Sequence, residues 1–348
     1  MSQRTSKTSG SVTILDVARH AGVSPMTASR VINGNSRVGA ELRERVQASV
    51  QALDYRPNLA GRSLRTRGSA RIGVLYSNPS AAYLNQLMLG MLEQSSLSGA
   101  QVLVEKCAGI QSQRAAVQRL VEAGVDGVIV PPPLCDSPQT IAELDQRGIP
   151  VVAVATATPL PQVASVRIDD YAGAQAMTSH LLELGHTRIG FIQGDPKHTP
   201  AQLRRQAFLD TMAAAGVGVA DECMAVGMFT YRSGLAAARQ LLALEPRPTA
   251  IFCSNDDMAA AAMAMAHGMG LRIPDELSIV GFDDTPMATT LWPELTTIRQ
   301  PVTAMGKAAV TLMLEQVRER REGRGRPARH QVMKFTLVKR QSAAPAGA

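Results

Sequence analysis

The sequence predicts an α/β fold: an N-terminal all-α helix-turn-helix head, then a core of two doubly wound parallel-sheet sub-domains. Three observations carry this. From Arg71 onward, short continuous apolar runs alternate with longer amphipathic stretches, as buried parallel strands alternate with covering helices. The alternation comes in two sets, hence two sub-domains of similar design. Residues 13–33 instead hold two short helical periods around a single Gly.

In the head, Thr13 is set to cap the first helix, with Asp16 three residues on as its acidic partner. Ile14, Val17, Ala18 and Ala21 recur at helical spacing and make one face apolar. Gly22 supplies the tight turn, Ser24 the next N-cap, and Pro25 the first helical position. Val23, Ala28, Val31 and Ile32 close a small core against the first helix, which leaves Met26, Thr27, Ser29 and Arg30 outside. A second helix of this kind suits the major groove of DNA. After a turn at Asn33–Gly39, Ala40 to Leu53 reads as a third helix, with Leu42, Val46, Val50 and Leu53 covering the first two. Pro57 breaks the chain, and residues 58–65 suffice for one more short helix, too short to be stable alone.

Charge points the same way. Residues 1–71 contain twelve Lys/Arg and four Asp/Glu, a net +8, while the whole chain is only +7. Basicity is therefore concentrated on the head, as a phosphate-neutralising surface requires.

In the core, RIGVLY, QVLVEKC, DGVIVPP and PVVAVA read as strands of the first sheet, between helices near 82–97, 111–123 and 137–147. RIGFIQ, TAIFCS and LSIVGFDD read as strands of the second, with helices near 200–215, 231–244 and 256–269. Ligands bind such sheets beyond the carboxyl ends of the strands. Ser77 and Asn78 follow RIGVLY, Asn255, Asp256 and Asp257 follow TAIFCS, and Asp283 and Asp284 follow LSIVGF. Arg204 lies on the helix after RIGFIQGDPKH. Neutral donors, carboxylates and one Arg around a cleft match the hydroxyl-rich surface of a sugar, and Tyr83 and Phe229 are candidates to stack on its C–H face. Asp169, Asp170 and Asp284 read as caps and loop anchors. His180 and His186, six apart, share no helix face and read as structural.

Composition bounds the alternatives. The chain has 348 residues, 45% of them hydrophobic but only 3% aromatic, so its cores are aliphatic and Met-rich. No apolar run approaches the roughly 20 residues of a membrane span, and the polar N-terminus does not resemble a signal peptide, so the expected location is cytoplasmic. Cys107, Cys135, Cys223 and Cys253 are scattered without metal-ligand spacing. No phosphate loop, nucleophile elbow or His/carboxylate metal motif occurs. The expectation is therefore no enzyme, no cofactor and no metal.

The same residues resemble the LacI/GalR (lac repressor-like) family of bacterial transcriptional regulators. The family's run is present without a gap as Thr13, Asp16-Val17-Ala18, Ala21-Gly22-Val23-Ser24, Thr27, Ser29-Arg30 and Asn33. SNDDMA, GFDDT and LTTIRQP are further typical stretches. The resemblance covers nearly the whole chain and implies a periplasmic-binding-protein-like core. It implies that Thr13, Ser24, Met26, Thr27, Ser29, Arg30 and Asn33 face operator DNA. It also implies a hinge helix with Asn58, Arg62 and Leu64, whose Leu64 wedges into the minor groove. Gly61 departs from the family's usual Ala and should weaken that helix by about 0.5–1 kcal/mol. Ser77, Arg204, Asn255 and Asp283 match effector-contacting positions and Phe229 an aromatic wall, and Asn78 and Tyr83 join them as candidates. Ala155 stands where several members place an effector-binding Asp, which argues against a simple galactoside.

The expected organisation is a disordered N-terminus (1–12), a DNA-binding head (13–56), a hinge (57–70), a core (71–340) and a flexible tail (341–348). Within the core, the N-sub-domain takes about 71–168 plus 301–325, and the C-sub-domain 169–300 plus 326–340. The tail carries no heptad repeat, so a homodimer is expected rather than a coiled-coil tetramer. The function implied is a repressor of carbohydrate uptake and utilisation genes, released from a pseudo-palindromic operator by a sugar-type effector. A co-repressor-activated regulator with a non-sugar effector and a sugar-binding protein without DNA binding are the alternatives.

Overall fold

The computed structural model describes residues 14–32, 39–53, 69–107, 110–323 and 327–347. Thr13, Asn33, Asn58, Arg62, Leu64, the N-terminus and nearly all of the expected hinge lie outside the described residues, as does the side chain of Ser29. The chain divides into two compact units, Met1–Ser69 and Ala70–Ala348.

In the first unit, helices α1 (Ile14–His20), α2 (Pro25–Ile32) and α3 (Ala40–Ala52) enclose one small core. Gly22 turns the chain at φ +63°, where a side chain would be strained. Ser24 caps α2, its Oγ accepting from the Thr27 N–H at 3.1 Å. Val17, Ala18, Ala21, Ala28, Val31 and Val46 are buried together. Leu42 departs from its expected covering role: it lies on the solvent side of α3, and Val46, Val50 and Leu53 do the packing.

The second unit holds two parallel sheets. The six-stranded sheet has the order β11-β5-β4-β3-β1-β2, from β1 (Arg71–Tyr76), β2 (Gln101–Lys106), β3 (Gly127–Val130), β4 (Val151–Val154), β5 (Ala164–Ile168) and β11 (His330–Met333). The four-stranded sheet has the order β7-β6-β8-β9, from β6 (Ile189–Gln193), β7 (Met224–Val226), β8 (Ala250–Cys253) and β9 (Ser278–Val280). A two-stranded antiparallel ribbon, β10 (Thr297–Arg299) with β12 (Thr336–Val338), accompanies them. Helices α4 (Ala81–Ser98), α5 (Ile110–Glu122), α6 (Pro138–Gln146) and α12 (Val302–Arg321) belong to the first sheet. Helices α7 (Asp170–Glu183), α8 (Thr199–Ala214), α9 (Tyr231–Leu242) and α10 (Asp256–Gly268) belong to the second, with the short α11 (Met287–Thr290). Where α4 crosses α12, a Cβ on Gly90 would run into the Thr303 carbonyl, so the two helices approach backbone to backbone. That contact fixes α4, which carries Tyr83.

Two expectations change. The segment 326–340 does not all belong to the C-sub-domain, because β11 pairs in parallel with β5 and extends the six-stranded sheet. Residues 341–347 are not a loose tail. Ile279 N–H donates to the Ser342 carbonyl at 2.8 Å, and Ala346 N–H donates to the Leu184 carbonyl at 2.8 Å. Ser342 is buried, its Oγ accepting from Thr296 N–H. The tail is ordered because it satisfies backbone groups on the open edge of β9 and at the end of α7 that would otherwise be orphaned.

His186 anchors this tail. One ring nitrogen faces the Ala344 carbonyl at 3.0 Å and the other the Thr249 hydroxyl at 2.9 Å. Burial pushes its pKa below the ordinary imidazole value. The folded state therefore resists protonation, and this contribution to stability is complete above about pH 6.5 and lost as pH falls below it. Urea unfolding should show a stability loss between pH 7.5 and 5.5 that His186→Gln reduces; an identical loss in that variant would count against the assignment.

Candidate functional site

The cleft between the two sheets is built by the turns that follow their strands. After β1, the Asn78 side-chain Oδ1 accepts from Ser80 N–H at 2.8 Å, and the Ser80 hydroxyl caps α4 by accepting from Tyr83 N–H. These bonds aim Tyr83, in the first turn of α4, inward, where it is 6% exposed. From the other sheet, Asn255 caps α10 through Met258 N–H and donates through Nδ2 to the Phe229 carbonyl at 3.2 Å. Ala155, Phe229 and Asp283 all have positive φ, at 57°, 57° and 119°. Strain of this kind gathers at ligand sites, where the surroundings over-determine the backbone.

Asn78, Tyr83, Arg204, Phe229, Asn255 and Asp283 all line one cleft of about 50 Å³ free volume, with Ser80, Ala155, His198 and Gln300. Ser77 is the exception among the expected effector residues. It follows β1 directly, but the chain presents Asn78 and Ser80 to the cleft instead.

Arg204 is the hub. Its Nε and Nη2 reach one Asp170 oxygen at 2.8 and 2.7 Å, and Nη1 donates to the Ser254 carbonyl at 2.6 Å. Asp283 lies 4.0 Å away, and the guanidinium carbon sits 3.7 Å above the Phe282 ring. Asp170 is therefore the buried partner of Arg204 rather than a helix cap; Asp169 alone caps α7, through Ala172 N–H. Asp283 accepts from Gln300 Nε2 at 2.7 Å. Burial pushes the Asp283 and Asp170 carboxyls above their ordinary range, and the Arg204 charge opposes it. Burial likewise lowers the pKa of His198, whose ring stacks on Phe229 at 5.6 Å.

The other acids hold loops. Asp256 accepts from Thr285 N–H at 2.7 Å and from the Thr297 hydroxyl at 2.7 Å, and burial pushes its carboxyl up to about 7. Asp284 pairs with Arg299 and Arg340. Ser80, His198 and Gln300 were missed in the sequence. Ser80 had a signal, a Ser just ahead of a helix, and Gln300 sits inside LTTIRQP, whereas nothing marked His198.

On the head, Met26 is 65% exposed and Arg30 is also open to solvent. The Ser24 and Thr27 hydroxyls lie 2.9 Å apart and hydrogen-bond each other. Among the described residues no group of three His, Cys, Asp or Glu is arranged to hold a metal, and no helix is long and apolar enough to cross a membrane.

A basic helix-turn-helix head joined to two cleft-forming parallel sheets is the build of a ligand-responsive DNA-binding protein. Residues 13–58 match the model of the bacterial regulatory proteins of the lacI family, and 178–343 match that of the periplasmic binding protein-like domain. The HTH-type transcriptional repressor PurR of Photobacterium profundum is 33% identical over 316 residues, covering 90% of this chain and 94% of its own. That of Serratia proteamaculans is 34% identical, covering 89% and 92%. Among solved structures, the transcriptional regulator CelR in complex with cellobiose superposes with a TM-score of 0.73 at 28% identity, covering 95% of this chain and 99% of its own. The lac repressor dimer bound to operator and the anti-inducer ONPF gives 0.72 at 29% identity, covering 96% and 100%. The chain belongs to the lacI family of bacterial regulatory proteins. It is a DNA-binding transcriptional repressor with a ligand-binding core, not an enzyme.

Proposed function

We propose that this repressor controls carbohydrate uptake and utilisation genes, holding a pseudo-palindromic operator as a homodimer and leaving it when a sugar occupies the cleft. The observation that carries the ligand class is a pair of orphaned polar atoms. The Tyr83 hydroxyl and Gln300 Oε1 are buried without a hydrogen-bond partner, and both residues line the cleft. A buried polar group left unmade costs about 1–3 kcal/mol, so a ligand that bonds to these atoms is strongly favoured. Sugar hydroxyls both donate and accept, and a sugar's C–H face packs on an aromatic ring such as Phe229. The CelR neighbour holds a sugar, cellobiose.

The charge pattern narrows the class further. Arg204 spends its donors on Asp170 and Ser254, and Asp283 stands beside it. A phosphate or carboxylate would meet acids rather than a free cation. A neutral sugar is the expected effector, and a planar nitrogen heterocycle held between the Phe229 and Tyr83 rings is the second reading. Thermal-shift screening should find stabilisation by a neutral mono- or disaccharide and none by the same sugar phosphorylated. A simple galactoside should be poor, since Ala155 offers no carboxylate. At a hundredfold excess over Kd the stabilisation is about 2.7 kcal/mol, a shift of several degrees. Stabilisation by purine bases alone would replace the sugar with the heterocycle.

For DNA, Ser24, Met26, Thr27, Ser29 and Arg30 form the proposed reading surface, with Thr13 and Asn33 at its ends and Asn58, Arg62 and Leu64 in the hinge. Exposed Met26 offers only apolar contact, so it fits a thymine methyl better than a hydrogen-bonding edge. Met26→Ala should change the selected operator sequence more than general DNA affinity; an unchanged binding-site logo would remove Met26 from base reading. For the homodimer, Leu89, Leu92 and Leu97 of α4 and Val104 of edge strand β2 are exposed apolar side chains, as is Trp292.

A further inference from the structure

The N-terminus of α8, the helix that carries Arg204, lacks a cap of its own. His198 occupies the N-cap position and makes no side-chain capping bond. The cap comes from the opposite sub-domain. Asp136, at the end of the 3-10 turn Leu134–Asp136 that follows β3, accepts from Thr199 N–H at 2.9 Å through Oδ2. Its Oδ1 accepts from the Thr199 hydroxyl at 2.9 Å and from the Thr156 hydroxyl at 2.8 Å. The Thr199 hydroxyl also accepts from Ala157 N–H at 2.9 Å. Thr199 is thus held from the other sub-domain by both Asp136 and Ala157, and a carboxylate sits at the positive end of a 16-residue helix.

We propose that Asp136 is an inter-domain latch: it caps α8 only while the two sub-domains are closed, so it holds the closed arrangement without touching the ligand. Asp136 does not line the cleft. Opening strips α8 of its cap and leaves Thr199 N–H to water, so the cap contributes to closure and not to the open state. Removing it shifts the closed-to-open ratio toward open by about five- to thirtyfold. A ligand that requires closure then loses apparent affinity through a residue outside its contact shell. That last consequence rests on the cleft being the effector site; the latch itself does not.

The test reads closure directly, in the full-length chain and without ligand. Ala115 on α5 and Ala236 on α9 are exposed and lie in different sub-domains, and the four native cysteines are buried. Spin labels at Ala115→Cys and Ala236→Cys should report one dominant distance by pulsed electron resonance. Adding Asp136→Ala should bring in a longer-distance population, and Thr199→Val, which keeps the backbone N–H, a smaller one. Thr199→Ser should restore the original distribution, which a merely destabilised fold would not do. An unchanged distribution in both Asp136→Ala and Thr199→Val overturns the latch, and Thr199→Val alone decides if Asp136→Ala fails to fold.

Discussion

Arg204→Ala should lower the stability of the core by about 3–5 kcal/mol, the usual cost of removing one partner from a buried ion pair. From sequence alone, Arg204 is marked only as a ligand contact. In the structure both members of its pair with Asp170 are almost fully buried, at 6% and 2% side-chain exposure. Truncation leaves the buried Asp170 carboxylate without the cation paired to it and frees the Ser254 carbonyl from its donor. Burial already pushes the Asp170 carboxyl upward and the Arg204 charge opposes it, so the variant should raise that carboxyl further. Loss of effector response in Arg204→Ala would then mix unfolding with lost contacts. A double variant, Arg204→Met with Asp170→Leu, separates them, since an apolar pair of similar volume is often neutral. Urea denaturation should find the double variant within about 1–2 kcal/mol of the parent and far above Arg204→Ala. Equal destabilisation of the two would mean that the pair is not the origin of the loss.

The second large effect falls on the head. Its described core is six buried side chains, of which Val17, Ala28 and Val46 are completely buried. A core this small has little stability to spare. Val17→Asp puts a carboxylate among Val, Ala and Ile, with no basic group among the core residues. The head should unfold while the 279-residue unit Ala70–Ala348 keeps its own cores. Operator affinity should drop to the non-specific level, about a thousandfold or more, while the core's thermal transition stays where it was. Retained specific binding in Val17→Asp would show that DNA recognition does not depend on the helix-turn-helix fold.

Much of this was legible in the sequence because its signals are local. Periodicity in TILDVARHAGVSPMTASRVIN, together with Gly22, Ser24 and Pro25, specifies α1, the turn and the start of α2. Continuous apolar runs such as RIGVLY and TAIFCS marked central strands, buried on both faces. Elements stabilised from outside were less visible. Strand β5 is interrupted by Arg167, and β11, HQVM, is an exposed edge whose place is set by pairing with β5. Helix α7 is buried around much of its circumference, with Gly173, Ala174, Met177, Thr178, His180 and Leu181 all inside, so its sequence shows little amphipathic contrast. The site divides in the same way. Residues just after strands, Asn78, Asn255 and Asp283, were predictable from topology. Asp170 as the partner of Arg204, Gln300 as the donor to Asp283 and Asp136 as the cap of α8 depend on contacts 34, 17 and 63 residues apart in sequence.

Coupling of a cleft ligand to operator release within one chain is directly measurable. Full-length protein should first enrich a two-fold-symmetric motif from random duplex DNA. Fluorescence anisotropy on that motif, repeated over a salt series, then measures the coupling. Without sugar, log affinity should fall linearly with log salt, because each phosphate contact releases counterions. With a saturating neutral sugar taken from the thermal-shift screen, operator affinity at fixed salt should fall by about five- to a hundredfold, the range of a typical coupling energy. Operator affinity left unchanged by a sugar that demonstrably binds the cleft would show that cleft occupancy is not the release signal.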